Sequence, residues 1–310
     1  MTSNLRLITT PTGNVGAHLL QHLRGGEHPL RLFVRNPATL PEGAASTAEV
    51  VTGDLSDPDA VRKALANVCT AFFCIPFAVD KVSLTAWYHE VGAVFSEALP
   101  DVPDTRVVFV SSGGAHREGL GPISALGQVE QMLEKAGRHV VHLRAGYFME
   151  NLLAALPTIA AENVLYGGFS PDLRIPMVAA RDVATMAARW MNDSDWTGRH
   201  TTGIHGPADI SMADVARSFS AGLGRPIRYQ QVPPEAVAGA LQQAMRATPG
   251  VVADYQAMVA GLQRLGADYR AEPRTPATTT ETALDTFIKT TLKPAFEGFI
   301  AQQGATPASA

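Results

Sequence analysis

With 310 residues, 46% of them hydrophobic, the chain has apolar material for one large domain or two modest ones. Its formal net charge of −4 gives no electrostatic case for binding nucleic acid or an anionic membrane. No apolar run approaches the roughly 18 residues of a membrane span, and the N-terminus lacks the pattern of a secretory signal.

The first half alternates β-rich runs with helical stretches. Leu5–Ile8 reads as a strand, followed by a Gly-containing turn and a helix with Val15, Leu19, Leu20 and Leu23 on one face. Gly25-Gly26 stops that helix. Leu30–Val34 is the second strand, and Val50-Val51 opens a third that ends at Gly53-Asp54. Ser56-Asp57-Pro58 is a helix start, with Pro suited to the first turn. Ala71–Ile75, Arg106–Val110 and Val140–Leu143 are further strands, with helices at about 84–99 and 123–136. Nearly all-apolar strands fit a parallel sheet covered on both faces, so the expected fold class is α/β, a doubly wound parallel Rossmann sheet. Residues 1–150 form the expected dinucleotide-binding domain. Residues 151–300 form a smaller C-terminal α/β lobe, from which about 175–192 returns to the Rossmann domain as one more strand and helix. Ser211–Asp214 has a capping-box pattern for a helix ending near Gly224. Residues 234–265 read as helical, and 301–310 as a frayed tail.

Thr9-Thr10-Pro11-Thr12-Gly13-Asn14-Val15-Gly16 sits between the first strand and the first helix, where a dinucleotide loop must sit. Gly13 lets backbone approach a pyrophosphate, and Gly16 lets the helix pack close to the sheet. The helix N-terminus then offers N–H groups to phosphate. The alternative is a plain turn, since turns need Gly anyway. Arg35, in Val34-Arg35-Asn36-Pro37, ends the second strand where an NAD-preferring fold has an acidic residue. An Arg there can pair with a 2′-phosphate, which favours NADP(H) over NAD(H); the alternative is an exposed Arg in a turn ended by Pro37. The two cysteines, Cys69 and Cys74, lack a second Cys/His cluster. No metal site is expected, and both read as structural thiols in a reducing, cytoplasmic setting.

These strings resemble the NmrA-like branch of the atypical short-chain dehydrogenase/reductases. The family's T-G-A-T-G-x-x-G loop matches at its end and departs at Thr10, where its first glycine stands, and at Pro11. Val34-Arg35-Asn36-Pro37, Gly53-Asp54-Leu55, Phe72–Pro76, Val108–His116 and Arg144–Asn151 follow in the family's order. Gly206-Pro207 and Gly224–Tyr229 resemble its C-terminal lobe. The resemblance implies cofactor contacts from Thr10, Thr12, Gly13, Asn14, Val15, Gly16, Arg35, Asp54, Ile75, Pro76, Ser111 and Ser112. It implies substrate contacts from Phe77, Phe148, Met149 and Asn151. His116 and Tyr147 are the catalytic candidates. Each has a plainer alternative: a solvated loop histidine for His116, core packing for Tyr147 and Phe148, and helix capping for Glu150 and Asn151.

Short-chain dehydrogenases pair a Tyr with a Lys, and no Tyr-x-x-x-Lys follows Ser112. Lining up Gly127–Leu133 with the family's helix puts Leu126 at the Lys position. The expected function is an NAD(P)H-dependent oxidoreductase acting on a quinone or aromatic small molecule, with no nucleic-acid or membrane partner and compatible with a homodimer. The alternatives are an NAD(P)-sensing regulator without turnover, or an aromatic tailoring enzyme such as an oxygenase.

Overall fold

The computed structural model describes residues 4–270 and 272–304. The chain begins β1 (Leu5–Thr9), α1 (Asn14–Leu23), β2 (Leu30–Val34), α2 (Ala44–Thr47), β3 (Glu49–Thr52), α3 (Pro58–Leu65), β4 (Val68–Phe73) and α4 (Leu84–Ala98). It continues through β5 (Arg106–Ser112), α5 (Pro122–Ala136) and β6 (His139–Ala145). Local chemistry sets the helix starts. Asp57 accepts from the Asp59 and Ala60 N–H groups ahead of Pro58, and Ser83 accepts from the Ala86 N–H.

The second half runs β7 (Tyr147–Phe148), α6 (Leu156–Glu162), β8 (Val164–Gly167), β9 (Ile175–Val178), α7 (Ala180–Asn192), β10 (Arg199–Ile204) and β11 (Asp209–Ile210). Then follow α8 (Met212–Leu223), β12 (Arg228–Gln231), α9 (Pro234–Met245), α10 (Pro249–Leu265), α11 (Leu284–Phe287) and α12 (Lys293–Gly304). The Ser211 capping box forms in full: its hydroxyl accepts from the Asp214 N–H and the Asp214 carboxylate accepts from the Ser211 N–H, both at 3.1 Å. Gly224, at φ +67°, ends α8.

Seven strands form one parallel sheet in the order β3-β2-β1-β4-β5-β6-β10. Helices α3, α4 and α5 cover one face over a core in which Phe73 stacks on Phe95 at 3.9 Å and on Phe109 at 5.2 Å. Helices α1 and α7 cover the other, burying Leu19, Leu32, Val141 and Val183. The second lobe holds two small sheets, β7-β9-β11 and β8-β12. Its own core centres on Met149, Ile159, Phe219, Phe287 and Leu292. Among the described residues, no helix is long and apolar enough to cross a membrane.

The structure modifies three expectations. Within the 175–192 segment α7 joins the Rossmann layers and Val178 packs into the same core, while β9 pairs with β7 and β11 in a small sheet. The seventh strand of the main sheet is instead β10, which the sequence pattern did not reveal because its Arg199-His200-Thr201-Thr202 run is largely polar. The 234–265 stretch is two helices, broken where Arg246 takes φ +54° ahead of Thr248-Pro249. The tail expected from 301 is helical through Gly304, and 305–310 lie outside the described residues.

Candidate functional site

From β1 the chain steps outward to β2 and β3 on one side, and from β4 to β5 and β6 on the other. The crevice at the carboxyl ends of β1 and β4 is therefore a switch point, where open α/β sheets take ligands. The Thr9 hydroxyl accepts from the Cys74 N–H at 3.2 Å and ties the two strand ends together. Burial pushes the Cys74 thiol up to about 12, so it stays a protonated, inert side chain.

Thr10 adopts φ +51°, the left-handed turn that the family's first glycine would make. Its carbonyl accepts from the Gly13 N–H at 3.0 Å. A Cβ on Gly16 would collide with that carbonyl, so α1 packs directly on the turn. Gly13 caps α1 without a side chain, and the first turn has no acidic residue. The N–H groups of that turn are thus left for an anion, while the Val15 side chain is buried in the core and Thr12 and Asn14 are exposed. This cradle fits a pyrophosphate.

Arg35 is exposed at the end of β2. Nearby, the Asp54 carboxylate accepts from the Ser56 N–H at 3.0 Å and its hydroxyl at 2.8 Å. Burial opposes its ionisation, but these bonds and the charges of Lys81 and Arg35 hold it below the usual carboxylate range. Lys81 lies in the β4–α4 loop, its ammonium 4.0 Å over the Trp87 ring. Sequence reasoning missed Lys81, because nothing in a loop's spacing reports which strand end it folds back toward.

Around the ends of β4 and β5, Ile75 is buried, Pro76 accepts from the Trp87 indole N–H at 3.0 Å, and Phe77 is 49% exposed. Ser111 donates to Glu130 Oε1 at 2.5 Å, and the Ser112 hydroxyl donates to the Gly113 carbonyl at 3.2 Å. Arg144 forks onto Glu130 with bonds of 3.0 and 2.6 Å and reaches Glu272 at 2.6 Å. This buried cation was not expected from the sequence, and two carboxylates neutralise it. His116 is exposed; partial burial and then the Arg144 charge lower its pKa, against the pull of Glu272. Leu126 packs against the apolar core of the α3–α5 face.

The Arg144–Asn151 stretch splits between neighbours. Tyr147 is half-buried, shares a hydrogen bond with Asn151 and meets Phe169 edge-on at 6.2 Å. Burial, then Tyr255 and Tyr229, push its phenol well above the usual range. Phe148 turns the other way and packs, like Cys74, against the core on the α1 and α7 face. Met149 is fully buried in the second-lobe core. Glu150 accepts from the Ala180 N–H at 2.9 Å and so caps α7, and Asn151 is exposed. The strand ends thus carry an α1 first turn without a side-chain cap, two basic side chains, Arg35 and Lys81, whose charges reach Asp54, and the half-buried Tyr147 backed by the buried Phe169.

A family model for NAD(P)H binding matches residues 11–154, and the NmrA-like family model matches residues 124–270. The chain is 28% identical over 250 residues to the NAD(P)H azoreductase of Xenophilus azovorans, covering 79% of this chain and 80% of that one. It is 28% identical over 279 residues to a (4-alkanoyl-5-oxo-2,5-dihydrofuran-3-yl)methyl phosphate reductase of Streptomyces griseus, covering 86% and 90%. Its fold is shared with an NADPH-dependent quinone oxidoreductase of Escherichia coli solved with NADPH: TM-score 0.73, 21% identity, 91% of this chain and 98% of that one. The two family models overlap over residues 124–154, from α5 to past β7, and together span residues 11–270, so the chain fits the NmrA-like family of NAD(P)H-binding Rossmann proteins.

Proposed function

We propose that this protein is an NAD(P)H-dependent reductase of quinones or other flat, conjugated acceptors, and that it prefers NADPH. The observation that carries the reading is the half-buried Tyr147 ring, backed edge-on by the buried Phe169, together with a glycine loop shaped for phosphate. The named activities of the relatives, an azoreductase, a dihydrofuranone phosphate reductase and a quinone oxidoreductase, are all reductions of conjugated systems.

A bound nicotinamide cofactor supplies the hydride. The N-terminal turn of α1 holds the pyrophosphate, with Gly13 and Gly16 keeping side chains out of its way. Arg35 pairs with the 2′-phosphate, and Lys81 adds a second positive charge on the same side. Tyr147, braced by the buried Phe169, presents its ring to orient a flat acceptor, and His116 assists as a proton donor from the β5–α5 loop. The reduced quinone is a stabilised phenolate, so proton delivery from water suffices for turnover.

The test is oxidation of NADPH and NADH by the purified protein against a panel of quinones, azo dyes and aliphatic ketones. A second reading, cofactor sensing without turnover, is favoured by Leu126, which puts an apolar side chain where the family's Lys would steady an acid/base. Absence of NADPH oxidation across the whole panel decides for that reading.

A further inference from the structure

Helix α10 bridges two strand-end loops, the one after β4 and the one after β5. On the β4–α4 side, the Thr248 N–H donates to the Val79 carbonyl at 3.0 Å and its hydroxyl to the Lys81 carbonyl at 2.5 Å. Asp254 accepts from the Ser83 hydroxyl at 2.7 Å and from the Thr85 N–H and hydroxyl at 3.0 and 3.1 Å. A separate small apolar cluster of Leu84, Ala247, Val251 and Val252 seals this junction. On the β5–α5 side the backbones close in. A Cβ on Gly121 would stand 2.7 Å from the Asp254 carbonyl, and one on Gly261 2.5 Å from the Gly119 carbonyl.

The next residue, Tyr255, belongs to another face of the helix. It shares that face with Val259 and Leu262, which are buried in the second-lobe core. Tyr255 is half-buried against the same core, within electrostatic reach of Tyr147 and Tyr229. The neighbouring phenols are committed: Tyr229 donates to the Phe169 carbonyl at 2.6 Å, and Tyr147 is bonded to Asn151. The Tyr255 hydroxyl makes no hydrogen bond among the described residues.

We propose that α10 roofs the acceptor pocket: Tyr255 contacts the flat acceptor opposite Tyr147, and Asp254 positions it by tying the helix to the β4–α4 loop that covers the cofactor. One helix then joins the cofactor cover to the acceptor wall, so ordering the first favours binding at the second. The proposal rests on the reductase reading for the chemical class of the acceptor.

The experiment uses the full chain, with anthraquinone-2-sulfonate titrated calorimetrically in the presence and absence of NADP+, which cannot donate hydride. The wild type is expected to bind the ring at least about fivefold more tightly with NADP+ present. Tyr255→Ala is expected to weaken ring binding about tenfold in both states and to change NADPH affinity by no more than about twofold; Tyr255→Phe retains most of the ring affinity. Asp254→Asn is expected to bring the NADP+-dependent gain down to about onefold while cofactor-free ring affinity stays within about threefold. Circular dichroism checks that each variant is folded. Wild-type ring affinity in folded Tyr255→Ala overturns the proposal, as does failure of the NADP+-loaded wild type to bind the ring. The two readings part cleanly. Ring binding without NADPH oxidation ends the reductase reading and leaves the pocket. Turnover with an unchanged KM in Tyr255→Ala does the reverse.

Discussion

The Thr10 carbonyl occupies the space that a Cβ on Gly16 would need, so the turn after β1 and the first turn of α1 form one locked unit. Gly16→Ala must push two stretches of backbone apart, and overpacking of that kind costs about 1–3 kcal/mol. We expect a lowered Tm together with at least a tenfold or so loss of NADPH affinity, read by cofactor fluorescence. Gly13 separates the two effects. Its Cβ would make an ordinary 3.4 Å contact with Thr10, and Asp is a better N-cap than Gly. Gly13→Asp should therefore leave stability unharmed while its carboxylate repels the pyrophosphate. Unchanged NADPH affinity in Gly13→Asp would remove the loop from the cofactor site.

Cofactor choice is expected to follow Arg35. Charge-assisted pairs contribute about 1.5–3 kcal/mol, which corresponds to tenfold or more in favour of NADPH over NADH. Arg35→Ala should bring the two affinities close together. Lys81→Met should cost a smaller share, because its ammonium is shared with the Trp87 ring and Asp54. Calorimetry with both cofactors settles it; equal affinities in the wild type refute the role.

Two fully buried histidines make the fold sensitive to acid. Burial is the first cause that lowers the pKa of His142, outweighing the pull of Glu130 and Glu134, and burial followed by Arg270 lowers that of His205. Since the folded pKa lies below the unfolded one, the unfolded chain binds more protons. The stability they contribute is complete above the unfolded value of about 6.5 and is lost as pH falls from there through the folded value. Tm should thus drop between pH 7.5 and pH 5.5. The drop should be shallower in His142→Gln, whose neutral side chain does not titrate. Equal slopes in both proteins would exclude His142 as a source.

The Glu130–Arg144 pair should behave as a buried ion pair. Glu130→Ala strips Arg144 of its fork and Ser111 of its acceptor, and breaking such a pair costs about 3–5 kcal/mol. Glu272→Gln should cost far less, since Glu130 still holds the guanidinium and one Glu272 oxygen has no hydrogen-bond partner among the described residues. Denaturant unfolding of the two variants measures the difference, and similar losses would contradict this ranking.

How much of this the sequence disclosed depended on whether a feature was local. The parallel strands were legible because burial on both faces writes continuous apolar runs such as Ala71-Phe72-Phe73, and the Ser211 cap was legible because its partner is three residues away. β10 was hidden because its outer positions are polar. The Glu130–Arg144–Glu272 cluster was hidden because its members are 14 and 128 residues apart. Lys81, Asp254 and Tyr255 belong to the same class: each acts across a fold-back that no periodicity marks. Met149 shows the opposite failure, a motif position whose side chain is enclosed by the second-lobe core.

The choice of acceptor is the most demanding prediction. An aliphatic ketone becomes an alkoxide on receiving hydride and needs a positioned acid, a role worth roughly 10²–10⁴ in rate. The structure offers little for it. Leu126 is apolar and packed, and burial holds the Tyr147 phenol far from ionisation, with no neighbouring cation lowering it among the described residues. Burial and Arg144 also lower the pKa of His116, which makes its protonated, donating form harder to hold. A quinone receives hydride to give a phenolate that survives in water, so it needs chiefly proximity and a flat wall. We expect NADPH oxidation with quinones to exceed that with aliphatic ketones by at least about 10² in kcat/KM. His116→Ala should lower kcat for a quinone only a few-fold, roughly, because the acid assists without being required. Tyr147→Ala should raise the quinone KM more than it weakens NADPH binding. Rapid reduction of aliphatic ketones by the wild type would show that an acid is in place after all, and the reading of Leu126 would be wrong.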